Sequence, residues 1–401
     1  MTRRLRIVSV CRSLPNPDHA SDGVFVANRL AAMHEHAEVH VIQPVPYMPV
    51  LRRLPVWARE RTRQLKSMRI EHAPMFYVPG VLKTADAMWL ARAIGSRIEG
   101  MHAQQPIDLI DAHFGYPEGA ACLRIAHRLG IPAFITIRGF ENEFASRPGV
   151  GPQLVNAMRA ATGCVSVSHS LKELATRLGV AEERVRVVHN AIDAGLFHPG
   201  NRDAARAELG IDARQPLVVS VGHLISRKRH HVLIDAFARV RERLPNARLV
   251  IMGAPSFEQQ YPAQLEAQVA ALGLGEHVTI MGNIPPPQVA TWLRAADVFA
   301  LGTAREGCCN AVLEALATGL PVVTTPAGDN AWFVEENISG HLVPVDDATA
   351  MADRVTKALE RVDWDRAAIS QRLMQQVGSW DRVATNVIEF FNERLGASRL
   401  Q

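Results

Sequence analysis

The sequence predicts an α/β protein made of two doubly wound parallel sheets, and three observations carry that expectation. Short runs rich in Val, Ile and Leu alternate with amphipathic helical segments along the chain, the pattern of parallel strands covered by helices. The alternation is interrupted by a polar, Gly- and Pro-containing stretch at residues 190–216 and then restarts. With 401 residues at 48% hydrophobic content, the chain also exceeds what one core usually organises.

Taken in order, the first-half strand candidates are "RIVSVC", "EVHVIQP", "LIDAHF", "AFITIRG", "GCVSVS" and "RVRVVHN". Helical patterns such as "GVFVANRLAAMHEH", "EGAACLRIAHRLG" and "HSLKELATRLG" lie between them. Gly130 and Gly179 suit left-handed helix caps, and Pro132 blocks continuation after the first. The second half repeats the pattern from "PLVVSVG" through "ARLVIMG", "VTIMGNI" and "DVFALGT" to "PVVTT". The expected domains are residues 1–195 and 196–375, followed by a C-terminal helical segment, 376–401. That last segment places Val383, Val387, Phe390, Phe391 and Leu395 on one side and could cap either domain.

Composition excludes several classes. The 44 Lys and Arg against 40 Asp and Glu are too balanced to argue for nucleic acid. Five cysteines, Cys11, Cys122, Cys164, Cys308 and Cys309, are scattered without metal or redox spacing, so reduced structural thiols are expected. No apolar run approaches the roughly 18 residues of a membrane span, and the N-terminal apolar stretch is too interrupted for a signal peptide, so the cytoplasm is the expected compartment. Residues 51–70 carry seven Arg and Lys against one Glu, interleaved with apolar side chains. Two readings stay open: contact with the anionic inner face of a membrane through Arg52, Arg53, Arg59 and an interfacial Trp57, or a solvated basic face.

In an open α/β sheet, ligands sit beyond the carboxyl ends of strands, where loops meet helix N-termini. In "DVFALGTAREGCCNAVLEALATGLP" a strand, a loop and a helix follow one another, with Gly319 and Pro321 closing the helix. The helix begins near Cys309 or Asn310, and its positive end favours an anion such as phosphate. Glu306 precedes that start and Glu314 lies about a turn inside. Carboxylates on either side of an anion site are placed to accept from hydroxyls at both ends of the ligand, which describes a sugar nucleotide. The loop after "VVSVG" adds His223, Arg227, Lys228 and Arg229, cations suited to a diphosphate leaving group. In the first half, Gly23 precedes a helix, and His113 and Arg138 follow strands, both expected to point into the interdomain cleft. For His113 a hydrogen-bonded structural role is the alternative.

Together these residues resemble glycosyltransferase family 4, retaining enzymes of the GT-B fold, whose two Rossmann-like domains face a central cleft. The resemblance covers nearly the whole chain. It rests chiefly on Glu306 and Glu314 within "EGCCNAVLEALATGLPVVTT", supported by "VVHNAIDAGLFHP", "VGHLISRKRHHVLIDAF", "AADVFALGTAREG" and "SGHLVPVDD" in family order. It implies that Glu314 holds the donor ribose and Glu306 the transferred sugar. Backbone N–H groups of Gly307, Cys308 and Cys309, at the helix start beside Asn310, would meet sugar or diphosphate. Lys228 would neutralise the diphosphate, Ile284 would pack on the base, and Gly23 would approach the phosphates from the opposite domain. Gly222 ends the strand that presents the cationic loop.

Two positions depart from the family pattern. His223 stands where arginine is frequent, which leaves Arg227 or Arg229 as the second cation. Arg138-Gly139 stands where many members have His-Gly, so contact with the donor sugar passes loosely to Arg138. The resemblance implies a hexosyl transfer with retention from a UDP- or GDP-sugar to a lipid-linked or polysaccharide acceptor. Catalytic roles would fall to Glu306, Lys228, Arg138 and His113. No carboxylate pair spaced as in glycosidases is required, and no metal or other cofactor is expected, since cations and the helix dipole meet the leaving group. An epimerase, a phosphorylase, and a nucleotide-sugar-binding module without turnover are the alternatives.

Overall fold

The computed structural model describes residues 4–20, 22–49, 53–256 and 258–399. The chain divides into two compact units, Met1–Ala191 with Trp380–Gln401, and Ile192–Ser379.

The first unit holds an eight-stranded sheet: β1 (Arg6–Val10), β2 (Glu38–Tyr47), β3 (Thr62–Leu65), β4 (Met68–Phe76), β5 (Leu109–His113), β6 (Ala133–Ile137), β7 (Gly163–Ser166) and β8 (Val185–Val187). Their order is β3-β4-β2-β1-β5-β6-β7-β8, with every pairing parallel except the β3–β4 hairpin. The second unit holds β9 (Leu217–Val221), β10 (Arg248–Met252), β11 (Val278–Ile280), β12 (Val298–Leu301), β13 (Val322–Thr324) and β14 (Gly340–Leu342), all parallel in the order β11-β10-β9-β12-β13-β14. Strands such as β1, β5, β6 and β12 are buried along their whole length, because helices cover both faces; that is why they read as continuous apolar runs without alternation.

Each sheet winds outward in both directions from a central pair, β1 and β5 in the first unit, β9 and β12 in the second. The loops after those strands therefore diverge and leave a crevice at the strand ends, the usual ligand position in such sheets.

Three segments differ from expectation. Residues 53–76 form a short 3₁₀ turn, Val56–Ala58, and the β3–β4 hairpin, with Lys66 in the left-handed region at the turn. Met68 and Ile70 enter the core, so the basic stretch alternates as a strand with one face buried. Trp57 is half-buried, donating from Nε1 to Asp18 Oδ2 at 2.8 Å and meeting His72 edge-on at 5.2 Å. Arg53 and Arg59 are exposed, and Arg52 lies outside the described residues.

The expected linker contains a helix, Arg202–Leu209, capped by Asn201 and ended by Gly210 at φ 66°. It is pinned to the second unit by Arg206, 1% exposed, which donates to Asp297 Oδ2 at 2.7 Å and to the carbonyls of Asp212, Gln215 and Ala295. Ala205 enters the second unit's core with Leu209 packed against it, and the buried guanidinium adds the polar ties.

The C-terminal helix Trp380–Arg399 belongs to the first unit. Val383, Val387, Phe390 and Phe391 are buried in that unit's core, with Phe391 and Phe390 at 4.4 and 5.9 Å from the Phe134 ring. Gly163 makes room: a Cβ there would lie 2.8 Å from Phe390 Cζ.

Candidate functional site

The second unit's crevice is built by three loops tied to one another. After β9, Gly222 donates its N–H to Met252 O, and Gly253 packs so closely that a Cβ on it would lie 1.8 Å from Gly222 O. A Cβ on Gly222 would press on the Lys228 stem at 3.3 Å, so the glycine lets that lysine run back along the strand end. The loop closes in a 3₁₀ turn, Ser226–Lys228, held by Ser226 donating to the Glu258 carboxylate at 2.9 and 3.1 Å. The Arg227 carbonyl accepts the Ala304 N–H at 2.9 Å, joining this loop to the one after β12.

These ties bring Glu306 to the two cations. Lys228 Nζ donates to Glu306 Oε1 at 2.7 Å, Arg227 Nη1 to Oε2 at 3.2 Å, and Thr303 Oγ1 to Oε1 at 2.7 Å. Burial penalises both charges. For Glu306, Lys228 and Arg227 more than offset that penalty and hold the carboxyl below its ordinary range. For Lys228, burial is outweighed by the charge and hydrogen bond of Glu306, which keep the ammonium protonated. Arg229 is turned away in the left-handed region and pairs with Asp346 at 2.7 Å, which leaves Arg227 as the second cation beside Glu306. His223 is exposed at the strand end.

Helix Asn310–Ala317 starts immediately after this cluster, with Cys309 as its N-cap and no side chain capping it. Its far end is closed by Gly319 N–H to Leu316 O and Leu320 N–H to Ala315 O, the paired bonds that a left-handed glycine permits. Cys309 is 4% exposed and its thiol is pushed up to about 12 by burial and the neighbouring Glu306, so it is no thiolate nucleophile. Gly307 is buried, and Cys308 and Asn310 are half-buried. Glu314 is half-buried a turn inside the helix, and among the described residues its carboxylate meets no hydrogen-bond partner. Loss of hydration pushes its pKa up to about 8, with Lys228 opposing. Ile284 packs, partly buried, against the second unit's core.

Sequence reasoning missed the layer behind this cluster. Thr303 holds Glu306 directly, and Thr325 Oγ1 donates to the Thr303 carbonyl. Gly328, at φ 62°, lies so near that a Cβ would be 2.8 Å from Gly307 O and 3.0 Å from Glu306 Cβ. A "PAGDN" stretch directly after a buried strand is the one signal that marks it.

In the first unit, His113 ends β5 and is wholly buried, accepting at Nδ1 from Arg138 Nη2 at 3.3 Å. Its Nε2 lies 3.2 Å from Asp111 Oδ2, with the N–H not aimed at it. Burial holds its pKa down to about 4, so the ring is neutral. Arg138 also donates to Asn190 Oδ1 at 3.4 Å, and its buried Nε has no partner among the described residues. Burial and Arg29 lower its pKa to about 10, still cationic near neutrality. Glu141, which sequence reasoning did not select, ties the two strand ends by accepting N–H groups of Gly115, Arg138 and Gly139 at 2.8–3.0 Å. Gly23, at φ 62°, packs against the loop after β1, where a Cβ would lie 1.9 Å from Ser13 O.

Residues 23–196 match the family model described as Glycosyltransferase Family 4, and residues 201–372 the one described as Glycosyl transferases group 1. A D-inositol 3-phosphate glycosyltransferase 1 of Catenulispora acidiphila is 30% identical over 307 residues, 72% of each chain. One of Mycobacteroides abscessus is 28% identical over 317 residues, 76% of this chain and 70% of the relative. One of Segniliparus rotundus is 35% identical over 161 residues, 40% of this chain and 36% of the relative's length. Among solved structures, sucrose-phosphate synthase from Thermosynechococcus elongatus superposes with a TM-score of 0.80 at 20% identity, over 98% of this chain and all of that one (100%). Anabaena HepE in complex with UDP and glucose gives 0.77 at 19%, over 97% and 100%. These likenesses establish the GT-B fold. With both halves matched in order and a relative covered over most of its length, the chain belongs to the group 1, family 4 glycosyltransferases.

Proposed function

We propose that this protein is a retaining glycosyltransferase that moves a hexose-type sugar from a UDP- or GDP-sugar to a lipid-linked or polysaccharide acceptor in cell-envelope or exopolysaccharide synthesis. The observation that carries the reading is the Lys228–Glu306–Arg227 cluster at the start of helix Asn310–Ala317, on the second unit's switch point. The names of the relatives given above, D-inositol 3-phosphate glycosyltransferases, support sugar transfer, and a neighbour in complex with UDP and glucose supports a nucleotide-sugar donor.

On this reading the donor diphosphate lies between Lys228, Arg227 and the helix N-terminus. Glu306 accepts from hydroxyls of the transferred sugar and Glu314 from the ribose. The bond from the sugar's anomeric carbon to the diphosphate oxygen breaks, and its electron pair stays on that oxygen. The acceptor hydroxyl attacks the same face and gives its proton to the departing phosphate oxygen. Lys228, Arg227 and the helix dipole stabilise the charge that develops there, which is the role a metal ion would otherwise fill. The catalytic residues proposed in the first unit are Arg138 and His113. Contact with an anionic membrane surface on the cytoplasmic face rests on Arg53 and Arg59, exposed beside Val56 at 73% exposure.

The test is a panel of UDP- and GDP-sugars assayed for thermal protection and for transfer. One donor is expected to protect wild type and to lose both protection and turnover with Lys228→Ala and Glu306→Ala. Turnover that survives both substitutions unchanged overturns the reading. Vesicle sedimentation with and without anionic lipid, comparing wild type with Arg53→Glu/Arg59→Glu, tests the membrane clause; equal binding by both proteins removes it.

A further inference from the structure

Arg229 and Asp346 of the second unit both stand in the left-handed region, at φ 57° and φ 62°. A side chain with a Cβ crowds the backbone there, and a long one such as arginine seldom adopts it. Each residue lies just ahead of a helix. Arg229 precedes His230–Arg243, and Asp346 precedes Asp347, which caps Ala348–Glu360 by accepting the Ala350 N–H at 2.8 Å. No glycine relieves either turn, so surrounding contacts must hold them.

The two turns hold each other. Arg229 Nε donates to Asp346 Oδ1 at 2.7 Å and Nη2 to Oδ2 at 3.3 Å. Its Nη1 donates to the Ser226 carbonyl at 2.9 Å, and the same carbonyl accepts the Arg229 N–H at 3.0 Å. An isolated surface ion pair is worth little, but a fork donating to both carboxylate oxygens, with a third bond fixing the guanidinium, is the geometry in which such pairs count. The hydrogen bond from Arg229 is also the first cause that holds the Asp346 carboxyl below its ordinary range.

The turn so held decides where Lys228 points. Lys228 is the residue before it, at the end of the 3₁₀ turn Ser226–Lys228. His230, the residue after it, is wholly buried and donates from Nε2 to the Gly222 carbonyl at 3.3 Å. Arg229 itself stands against the loop after β12, where a Cβ on Gly302 would come within 3.4 Å of Arg229 Cβ. Relaxation of Arg229 to the right-handed region would turn its φ by about 120°. With His230 fixed in the core, the displacement would fall on Lys228. Its Nζ donates to Glu306 Oε1 at 2.7 Å, and a shift of about 1 Å breaks such a bond.

We propose that Arg229 and Asp346 are positioning residues for Lys228. Their ion pair keeps Arg229 in its left-handed turn, and the turn keeps Lys228 Nζ on the Glu306 carboxylate and on a bound diphosphate. Asp346, more than a hundred residues away in the chain, thereby sets nucleotide affinity. The diphosphate clause rests on the transferase reading above; the Lys228–Glu306 clause does not.

Denaturant unfolding of the full chain tests the second clause without a ligand. Lys228→Met is introduced into wild type, into Asp346→Ala and into Arg229→Gly/Asp346→Ala. The Asp346 side chain is 52% exposed, so its truncation leaves the core intact. In wild type Lys228→Met should lower the folding equilibrium constant about thirtyfold, and in Asp346→Ala only about fivefold, because Lys228 no longer reaches Glu306. Glycine takes the left-handed turn without a clamp, so in Arg229→Gly/Asp346→Ala the factor should return to within about twofold of the wild-type one. A factor unchanged in Asp346→Ala overturns the proposal even where that variant melts earlier, since the pair is then a surface tie and nothing more. A factor that stays low with glycine at 229 overturns it too, since the turn is then not the link.

Calorimetric titration with UDP and with GDP reads the diphosphate clause. At least one should bind wild type, bind Asp346→Ala about fivefold more weakly, and recover in Arg229→Gly/Asp346→Ala. Affinity that Asp346→Ala leaves unchanged overturns that clause. Failure of both nucleotides to bind wild type counts against the transferase reading alone, and the unfolding series still decides whether Arg229 and Asp346 position Lys228.

Discussion

Lys228 Nζ stands 2.7 Å from Glu306 Oε1, with the two side chains 10% and 7% exposed. A pair this buried is costly to break from one side, since the remaining charge has lost both water and partner.

Lys228→Met leaves Glu306 with Arg227 and Thr303, so about 2 kcal/mol of stability should be lost, less than the 3–5 kcal/mol typical of stripping a buried ion bare. Glu306→Gln leaves two cations without their carboxylate and should cost about 3–4 kcal/mol. The double variant should fall short of the sum, and denaturant unfolding of all four proteins measures the coupling; additivity within about 0.5 kcal/mol denies it. The pH dependence follows from the two shifts. Glu306 is held below the ordinary 4.5, so its contribution is present above that value and disappears as pH falls through its depressed pKa. Lys228 is held above 10.5, so its contribution is present below that value and disappears only as pH rises past its elevated pKa. The coupling should therefore be constant across the neutral range.

Glu314 behaves oppositely. Its pKa, raised from 4.5 to about 8, means the folded protein keeps a proton that the unfolded chain has released. Between those values stability falls as pH rises, and above them the burden is constant. Glu314→Gln should be nearly neutral in thermal melts at acid pH and stabilising by about 1–2 kcal/mol at alkaline pH, after discounting for its partial exposure. If ribose hydroxyls take the carboxylate, nucleotide binding near neutral pH should release a proton. Calorimetry in buffers of different ionisation enthalpy reads that release, and its absence separates Glu314 from the nucleotide.

Gly328 should tolerate no side chain. Gly328→Ala combines a left-handed φ with a 2.8 Å approach to Gly307 O, so a loss of about 1–3 kcal/mol is expected, together with displacement of Glu306. Activity should fall further than stability, and a variant with native turnover would show that the Glu306 loop is not held from behind.

Phe390→Ala should cost about 3–5 kcal/mol, because the ring fills the space over Gly163 and beside Phe134. Hydrogen exchange should quicken in β6 and β7 of the first unit and stay unchanged in β9 and β12 of the second. Equal acceleration in both units would show that the C-terminal helix does not belong to the first alone.

Periodicity and local chemistry were enough to read the parallel strands, the helix start at Cys309, the glycine closing that helix, and a cationic loop at the same sheet edge as Glu306; that Glu306 pairs with Lys228 and Arg227 came only from the structure. The features read from the sequence depend on residues close in the chain or on a repeated strand–loop–helix unit whose geometry is general. Other features were out of reach because they join distant segments. Nothing local distinguishes Arg227, which meets Glu306, from Arg229, which meets Asp346. Thr303, Thr325 and Gly328 matter only once β12 and β13 lie side by side, and Glu141 only once β5 and β6 do. The basic stretch at residues 51–70 read as a surface face because its charges outnumber its core positions, yet pairing with β2 turned Ile70 inward. Glu118 was an ordinary acid in the sequence. Folding buried it, matched one oxygen to Arg12 and left the other unmatched, an outcome that depends on packing between segments more than a hundred residues apart.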